Sequence, residues 1–134
     1  GSGAAGGLAY GMKVLFRTEF RPGVDVVAEA VNFLDQVNRA DLVITGEGQI
    51  DGQTSYGKTI MGVASRAKKL NIPVLAIAGS LAPEYQSIYE NGVTSVMSIM
   101  PRPMSLDLAI ENAHQLVVEA TERSLRMMSL GMDL

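Results

Sequence analysis

Apolar residues along this chain recur at two periods, and the alternation between them lays out the elements. Leu8, Met12, Leu15 and Phe16, among small residues from Ala4 onward, fit a helix better than a strand, although Gly6, Gly7 and Gly11 weaken it. Arg21-Pro22-Gly23 breaks the pattern, with Pro22 placed to start another helix. Val24, Val27, Ala28, Val31, Phe33 or Leu34, and Val37 then follow helical spacing to Asn38. This predicts one helix with those positions facing the core. Leu42 to Ile44 is a short strand-like run, after which glycines predict a loop.

Ile60, Met61, Val63, Ala64, Ala67 and Leu70 form the next helical stripe, with Arg66, Lys68 and Lys69 opposite it or toward its C-terminus. Asn71 and Pro73 stop it. Val74 to Ala78 is a continuous apolar run, as a strand buried on both faces of a parallel sheet requires, and Gly79-Ser80 ends it. Pro83 to Asn91 predicts a short helix closed by Gly92, Thr94 to Met100 a third strand, and Pro101-Arg102-Pro103 a rigid loop. Ser105 caps one long last helix to about Met128, its stripe running through Leu106, Ala109, Ile110, Ala113, Leu116, Val117, Ala120 and Leu125, with fraying from Leu130. Strand and helix alternating three times with short connections implies an α/β fold: a three-layer Rossmann-like or flavodoxin-like parallel sheet with helices on both faces. All three strand ends then fall on one edge of the sheet.

Composition narrows the partners. The 134 residues make one domain of 1-134 with room for a core, and a net charge of −3 argues against nucleic acid and anionic membrane. No cysteine is present, so disulfides and thiolate zinc sites are out, and no apolar stretch reaches the length of a membrane span. A cytoplasmic protein is the default. Eight methionines fit a soft core. The opening Gly1 to Gly7 reads as a glycine-rich turn of the kind that follows a strand, which points to a fragment of a longer protein; Gly1-Ser2 also reads as an expression scar.

The chemistry concentrates between Asp41 and Lys58. In an open parallel sheet, ligands bind beyond the carboxyl ends of the strands, where glycines let the backbone approach and helix-start amides attract anions. Here that edge offers Gly46, Glu47, Gly48 and Asp51, with Gln53, Thr54 and Lys58 following, and Gly79-Ser80 at the next strand end. A lysine in the first turn of a helix opposes the macrodipole, so Lys58 implies a nearby carboxylate or a bound anion; simple pairing with Asp51 or Glu47 is the plainer reading. His114 reads as a surface or packing residue, and Arg102 as either an anion ligand or a solvated loop residue.

Gly52-Gln53-Thr54-Ser55-Tyr56-Gly57-Lys58-Thr59 also fits the phosphate-loop pattern letter for letter. That pattern needs a strand running directly into its first glycine, whereas Gly46 to Asp51 are expected to intervene as loop. Two other classes therefore stand beside a small-molecule kinase: a phosphate-loop nucleotide-binding domain, and a non-catalytic flavodoxin-like binding module.

Gly3-Ala4-Ala5-Gly6-Gly7-Leu8, Arg21-Pro22-Gly23, Asp41 to Gly48 with Asp51, Gln53-Thr54 and Gly57-Lys58, and Ile77-Ala78-Gly79-Ser80, taken in order, resemble the C-terminal portion of the bacterial type I glycerate kinases. The resemblance implies a longer two-domain kinase with its active site between domains, and transfer of the γ-phosphoryl group of ATP to D-glycerate with Mg2+, giving 2-phosphoglycerate. It implies small-molecule and nucleotide partners, with inactivity and self-association of a fragment as further expectations. On this reading Asp51 is the base or a metal ligand, Lys58 neutralises phosphate or the substrate carboxylate, and Glu47 is a second metal-ligating acid. Gln53 and Thr54 hydrogen-bond substrate oxygens, Gly46, Gly48, Gly79 and Ser80 line the site, and the turn at Gly6 and Gly7 cradles an anion.

Overall fold

A computed structural model describes residues 3–16, 18–51 and 59–132. A 3-10 turn at Ala4–Gly7 leads into α1 (Leu8–Phe16), followed by α2 (Gly23–Ala30), α3 (Phe33–Val37), β1 (Val43–Ile50), α4 (Thr59–Lys69), β2 (Val74–Leu81), α5 (Ser87–Glu90), β3 (Ser95–Ser98), α6 (Leu106–Glu111) and α7 (Ala113–Met132). The sheet has the order β1-β2-β3, and both pairings are parallel. The α/β architecture expected from the alternation of periods is therefore present.

Strand pleating sorts the core into two halves. Val74, Ala76 and Ala78 of β2 pack with Ile60, Met61, Ala64 and Ala67 of α4 and with Val37, Ile50, Ile88 and Val93. The alternate residues Leu75 and Ile77 pack on the opposite face with Ile99, Ala109, Leu116 and Ala120. Helices thus cover both faces of β2, which explains its unbroken apolar run. Asn71, at φ 58, ends α4: its amide bonds to Lys68 O at 3.1 Å while Ile72 N bonds to Ala67 O at 3.0 Å, a left-handed cap that asparagine tolerates. Gly92 closes α5 at φ 107, as its residue type implied.

Several boundaries depart from the sequence reading. β1 does not stop at Ile44 but continues through Gly46, Glu47 and Gly48 to Ile50, because β2 supplies the ladder hydrogen bonds that a glycine-rich segment cannot supply for itself. β2 correspondingly runs on to Leu81 through Gly79-Ser80, while β3 is shorter than expected. The expected helix from Val24 to Asn38 is broken at Asn32, which adopts φ 50, so the helical phase restarts and Val27, Val31 and Leu34 lie exposed rather than in the core. The last helix is split at Asn112, whose side-chain amide donates to Leu108 O at 2.8 Å, and α7 continues to Met132 rather than fraying from Leu130. Only part of the anticipated stripe is buried: Ala109, Leu116 and Ala120 are, whereas Leu106, Ile110, Val117 and Leu125 are exposed. Methionine is likewise divided, with Met61 buried and Met127 exposed.

Candidate functional site

The carboxyl ends of β1 and β2 contain an irregularity that shapes the site. Neighbouring residues of a strand point their backbone groups to opposite sides. Val43 N donates to Pro73 O at 2.9 Å at one end of β1, and Ile50 O accepts from Ala82 N at 2.9 Å at the other. An odd- and an even-numbered residue both face β2, so the pleat changes phase between them. Side-chain placement agrees: Ile44 lies toward the α7 side and Ile50 is buried on the α4 side. The register omits Gly48, and a Cβ built on Gly79 would stand 2.4 Å from Gly48 O, closer than any side chain can approach. Glycine at position 79 is thus demanded by the backbone of β1. Gly48 meets nothing within 4 Å, and its own requirement is not steric.

On the α7 side of this region lies an open cavity of about 1140 Å³. Ile44, Ile77 and Ile99 form its floor, Met100 and Met104 one end, and Ala109, Ile110, Ala113 and Val117 its far wall; Gly46, Glu47, Gly48, Gln49, Gly79 and Ser80 supply its polar margin. Five residues singled out from sequence, Gly46, Glu47, Gly48, Gly79 and Ser80, are therefore gathered at one place. The methionines and Gln49 were missed. The signal for the methionines was positional, since residues past a strand end line such clefts whatever their type.

Asp51 follows β1 directly and is half-buried, and α4 opens at Thr59. It does not line the cavity, nor do Gly6 and Gly7, which hold a left-handed turn at φ 65 and 90 beside Ala5 at φ 51. Gln53, Thr54 and Lys58 lie outside the described residues. Glu47 and Asp51, expected together in a loop, are instead separated by an extended strand, with four residues spanning about 13 Å. Among the described residues no group of three or more His, Asp or Glu is arranged to hold a metal. Mg2+ is commonly held by only one or two carboxylates, with phosphate oxygens and water completing the shell.

Arg102 is exposed beyond β3 and has no ion pair among the described residues; His114 is exposed on α7, as a surface residue would be. The context argument against a phosphate loop does not hold, because β1 reaches Ile50 and only Asp51 separates it from Gly52. No helix is long and apolar enough to cross a membrane among the described residues.

Fold and cleft define a parallel α/β protein with an open cavity at the carboxyl edge of the sheet. Comparison with known proteins then gives the family. The sequence model of the Glycerate kinase family matches residues 1–129, and the chain belongs to that family. It is 48% identical over 120 residues to a glycerate kinase of Halalkalibacterium halodurans, covering 90% of this chain and 32% of that protein. Identity to the glycerate 2-kinase of Escherichia coli is 35% over 132 residues, covering 98% of this chain and 35% of the relative. A crystal structure bearing the provisional designation glycerate kinase 2, from Salmonella typhimurium LT2, superposes with a TM-score of 0.76 at 36% identity, over 100% of this chain and 34% of that one. The chain thus spans about a third of the length of these relatives. Given that family membership, neither the phosphate-loop reading nor the binding-module reading is favoured.

Proposed function

We propose that this chain is the C-terminal part of a two-domain glycerate kinase and carries the acceptor-side half of its active site. The supporting observation is the glycine-bearing carboxyl edge of β1 and β2, with Asp51 at the mouth of the strand-to-helix connection, in a chain of this family. In the proposed reaction the hydroxyl oxygen of D-glycerate forms a bond to the γ-phosphorus of ATP as the bond to the β-γ bridging oxygen breaks. ADP leaves, 2-phosphoglycerate forms, and the hydroxyl proton passes to Asp51.

Lys58 offsets charge on the transferred phosphoryl group, and the amides at the carboxyl edge hold the anionic substrate. Bound Mg2+ would supply charge neutralisation of the nucleotide phosphates; holding it is the alternative role for Asp51, in place of accepting the proton. Glu47, away from Asp51 along the strand, serves substrate orientation better than metal ligation, with Gln53, Thr54 and Ser80 donating to substrate oxygens. A cytoplasmic location follows from the use of ATP, and the isolated chain is expected to be inactive because the active site lies between domains.

The test is Asp51→Asn in the whole enzyme, measured as glycerate-dependent ADP release across Mg2+ concentrations. Loss of a general base lowers kcat by about 100-fold or more. A loss that excess Mg2+ restores assigns the metal-ligand role instead. Activity within about threefold of wild type, on a scale where tenfold is about 1.4 kcal/mol, would remove Asp51 from the mechanism. Thr59→Ala is expected to leave kcat little changed, since this reading gives that hydroxyl no magnesium to hold.

A further inference from the structure

Among the described residues, Arg102 is the only lysine or arginine in the connections that leave the carboxyl ends of the strands. Arg66, Lys68 and Lys69 stand in the last turn of α4, which leads back to the start of β2 at the opposite edge. The cavity at the carboxyl edge is lined by one charged residue, Glu47, and by no cation. Arg102 sits between two of its lining residues, Met100 and Met104, and its guanidinium has no partner among the described residues. A guanidinium keeps its charge at any ordinary pH and has only donors to offer. At an edge that already carries the carboxylates Glu47 and Asp51, it is the described group able to attract an anion.

The backbone that carries Arg102 is held on both sides. Ile99 is buried and its amide donates to Ala78 O at 2.9 Å, and Met100 N donates to Ser98 Oγ at 3.1 Å. Pro101 and Pro103 fix φ on either side of the arginine. Beyond them Ser105 is tied into α6, its side chain accepting from Leu108 N and its carbonyl from Ala109 N at 3.0 Å. Little backbone freedom is therefore left for a ligand to remove, and ordering costs of about 1–2 kcal/mol per residue are already met. The sheet order places the ends of β1 and β3 on either side of β2, two inter-strand steps or about 10 Å apart. Asp51 follows β1, Arg102 follows β3, and between them β2 presents Gly79 and Ser80, whose small size leaves the gap open.

We propose that Arg102 binds the carboxylate of the hydroxy-acid substrate, an assignment that rests on the glycerate kinase reading above and names the group that anchors the acceptor. The planar guanidinium fork matches a carboxylate with two parallel hydrogen bonds, which fixes orientation as well as affinity. With the acceptor hydroxyl at Asp51 and the carboxylate turned across β2 toward Arg102, a short hydroxy acid lies over Gly79 and Ser80. Its reacting oxygen then stays on the β1 side, where Lys58 is proposed to meet the phosphoryl group. Nucleotide phosphates are the other source of anionic oxygens that the same fork accepts, and the measurement below separates the two.

The test is steady-state kinetics of Arg102→Gln and Arg102→Lys in the whole enzyme, with D-glycerate and ATP varied in turn. Losing a charged hydrogen-bonded pair is expected to raise KM for glycerate about 10- to 100-fold in Arg102→Gln. KM for ATP should stay within about twofold, the pattern of a lost contact to one substrate only. Arg102→Lys should recover part of the loss, because an ammonium keeps the charge without the fork. Arg102 is exposed, so an unchanged melting temperature is expected in both variants. An unchanged KM for glycerate in Arg102→Gln would overturn the proposal, and so would a rise confined to ATP, which assigns the arginine to the nucleotide phosphates. Equal rises for both substrates with a lowered melting temperature would overturn it too, as the mark of a merely structural loop residue. An unsubstituted enzyme that does not phosphorylate glycerate removes the kinase reading itself, whereas an active one insensitive to Arg102→Gln removes this assignment alone.

Discussion

Gly62 lies near the start of α4, where α2 packs against it, and a Cβ at that position would stand 2.4 Å from Val24 Cγ2 and 2.8 Å from Val24 Cγ1. Two effects of opposite sign therefore meet in Gly62→Ala. Replacing a glycine inside a helix by alanine stabilises the helix by about 0.8–1 kcal/mol. Forcing a methyl into a filled contact costs about 1–3 kcal/mol. The steric term wins, and the single variant is expected to lose up to about 2 kcal/mol. In a Val24→Ala background both Cγ atoms are gone, and the nearest remaining atom, the Cβ of residue 24 at 3.1 Å, needs a shift of only a few tenths of an ångström. There Gly62→Ala should change sign and stabilise by up to about 1 kcal/mol.

Urea unfolding of the four proteins of this cycle, followed by far-UV circular dichroism, measures the coupling directly, and the cost of Val24→Ala alone cancels. An unchanged slope would confirm that the midpoints report stability rather than a changed unfolded state. If Gly62→Ala lowers the midpoint equally with valine or alanine at position 24, the close approach of α2 to α4 is not what requires the glycine. The ion pair between Arg66 and Asp25 at 2.7 Å crosses the same contact, but it is only partly buried and contributes at most about 1 kcal/mol. It cannot compensate a separation of the helices.

Gly79→Ala places a Cβ against the carbonyl of Gly48, a backbone atom with no rotamer to escape into, and should cost at least the roughly 1–3 kcal/mol of overpacking in thermal or urea unfolding; an unchanged midpoint would refute the phase change in β1. Ile60→Ala empties a fully buried position between α4 and the sheet and is expected to cost about 2–5 kcal/mol, read as a fall in urea midpoint. Ser105→Ala removes the cap that accepts from Leu108 N at 3.4 Å; at that length and exposure the loss should sit near the low end of the usual range, about 0.5 kcal/mol, detectable as a small fall in melting temperature.

The layer order and most elements were legible because periodicity reports burial, and burial is what the sheet imposes on β2 and α4. Val74 to Ala78 reads as a strand covered on both faces because it is one, and Ile60, Ala64 and Ala67 sit where their spacing put them. The failures are at places where local composition and tertiary pairing disagree. Gly46 to Gly48 have low strand propensity, yet β2 lies alongside and completes their hydrogen bonds. Asn32 and Asn112 break helices whose apolar spacing continues through them, and no count of apolar positions registers a single left-handed or capping asparagine. Gly46, Glu47, Gly48, Gly79 and Ser80 were read as lying past strand ends; β1 and β2 run through them, and they line one cavity. Glu47 and Asp51 were read as neighbours in one loop, whereas β1 continues between them as far as Ile50.

Misreading the strand as a loop also bears on how such a site would work. A loop holding Gly46 to Asp51 would have to be ordered by substrate, at a backbone cost of about 1–2 kcal/mol for each residue fixed. Within β1 those residues through Ile50 are already fixed by the ladder with β2, and Ile50, fully buried against α4, anchors the strand one residue before Asp51. The carboxylate proposed as base therefore hangs from a rigid support rather than from the segment that follows it. Binding energy from glycerate and nucleotide would then go to closing the cleft rather than to forming it, which is the condition under which a positioned base contributes to kcat. Gly79 is part of the same support, since the close passage of its Cα past Gly48 O lets the pleat shift phase and turn Ile50 inward. If that account holds, a conservative change at position 79 should act on kcat through the placement of Asp51, even though residue 79 itself need not touch the reacting atoms.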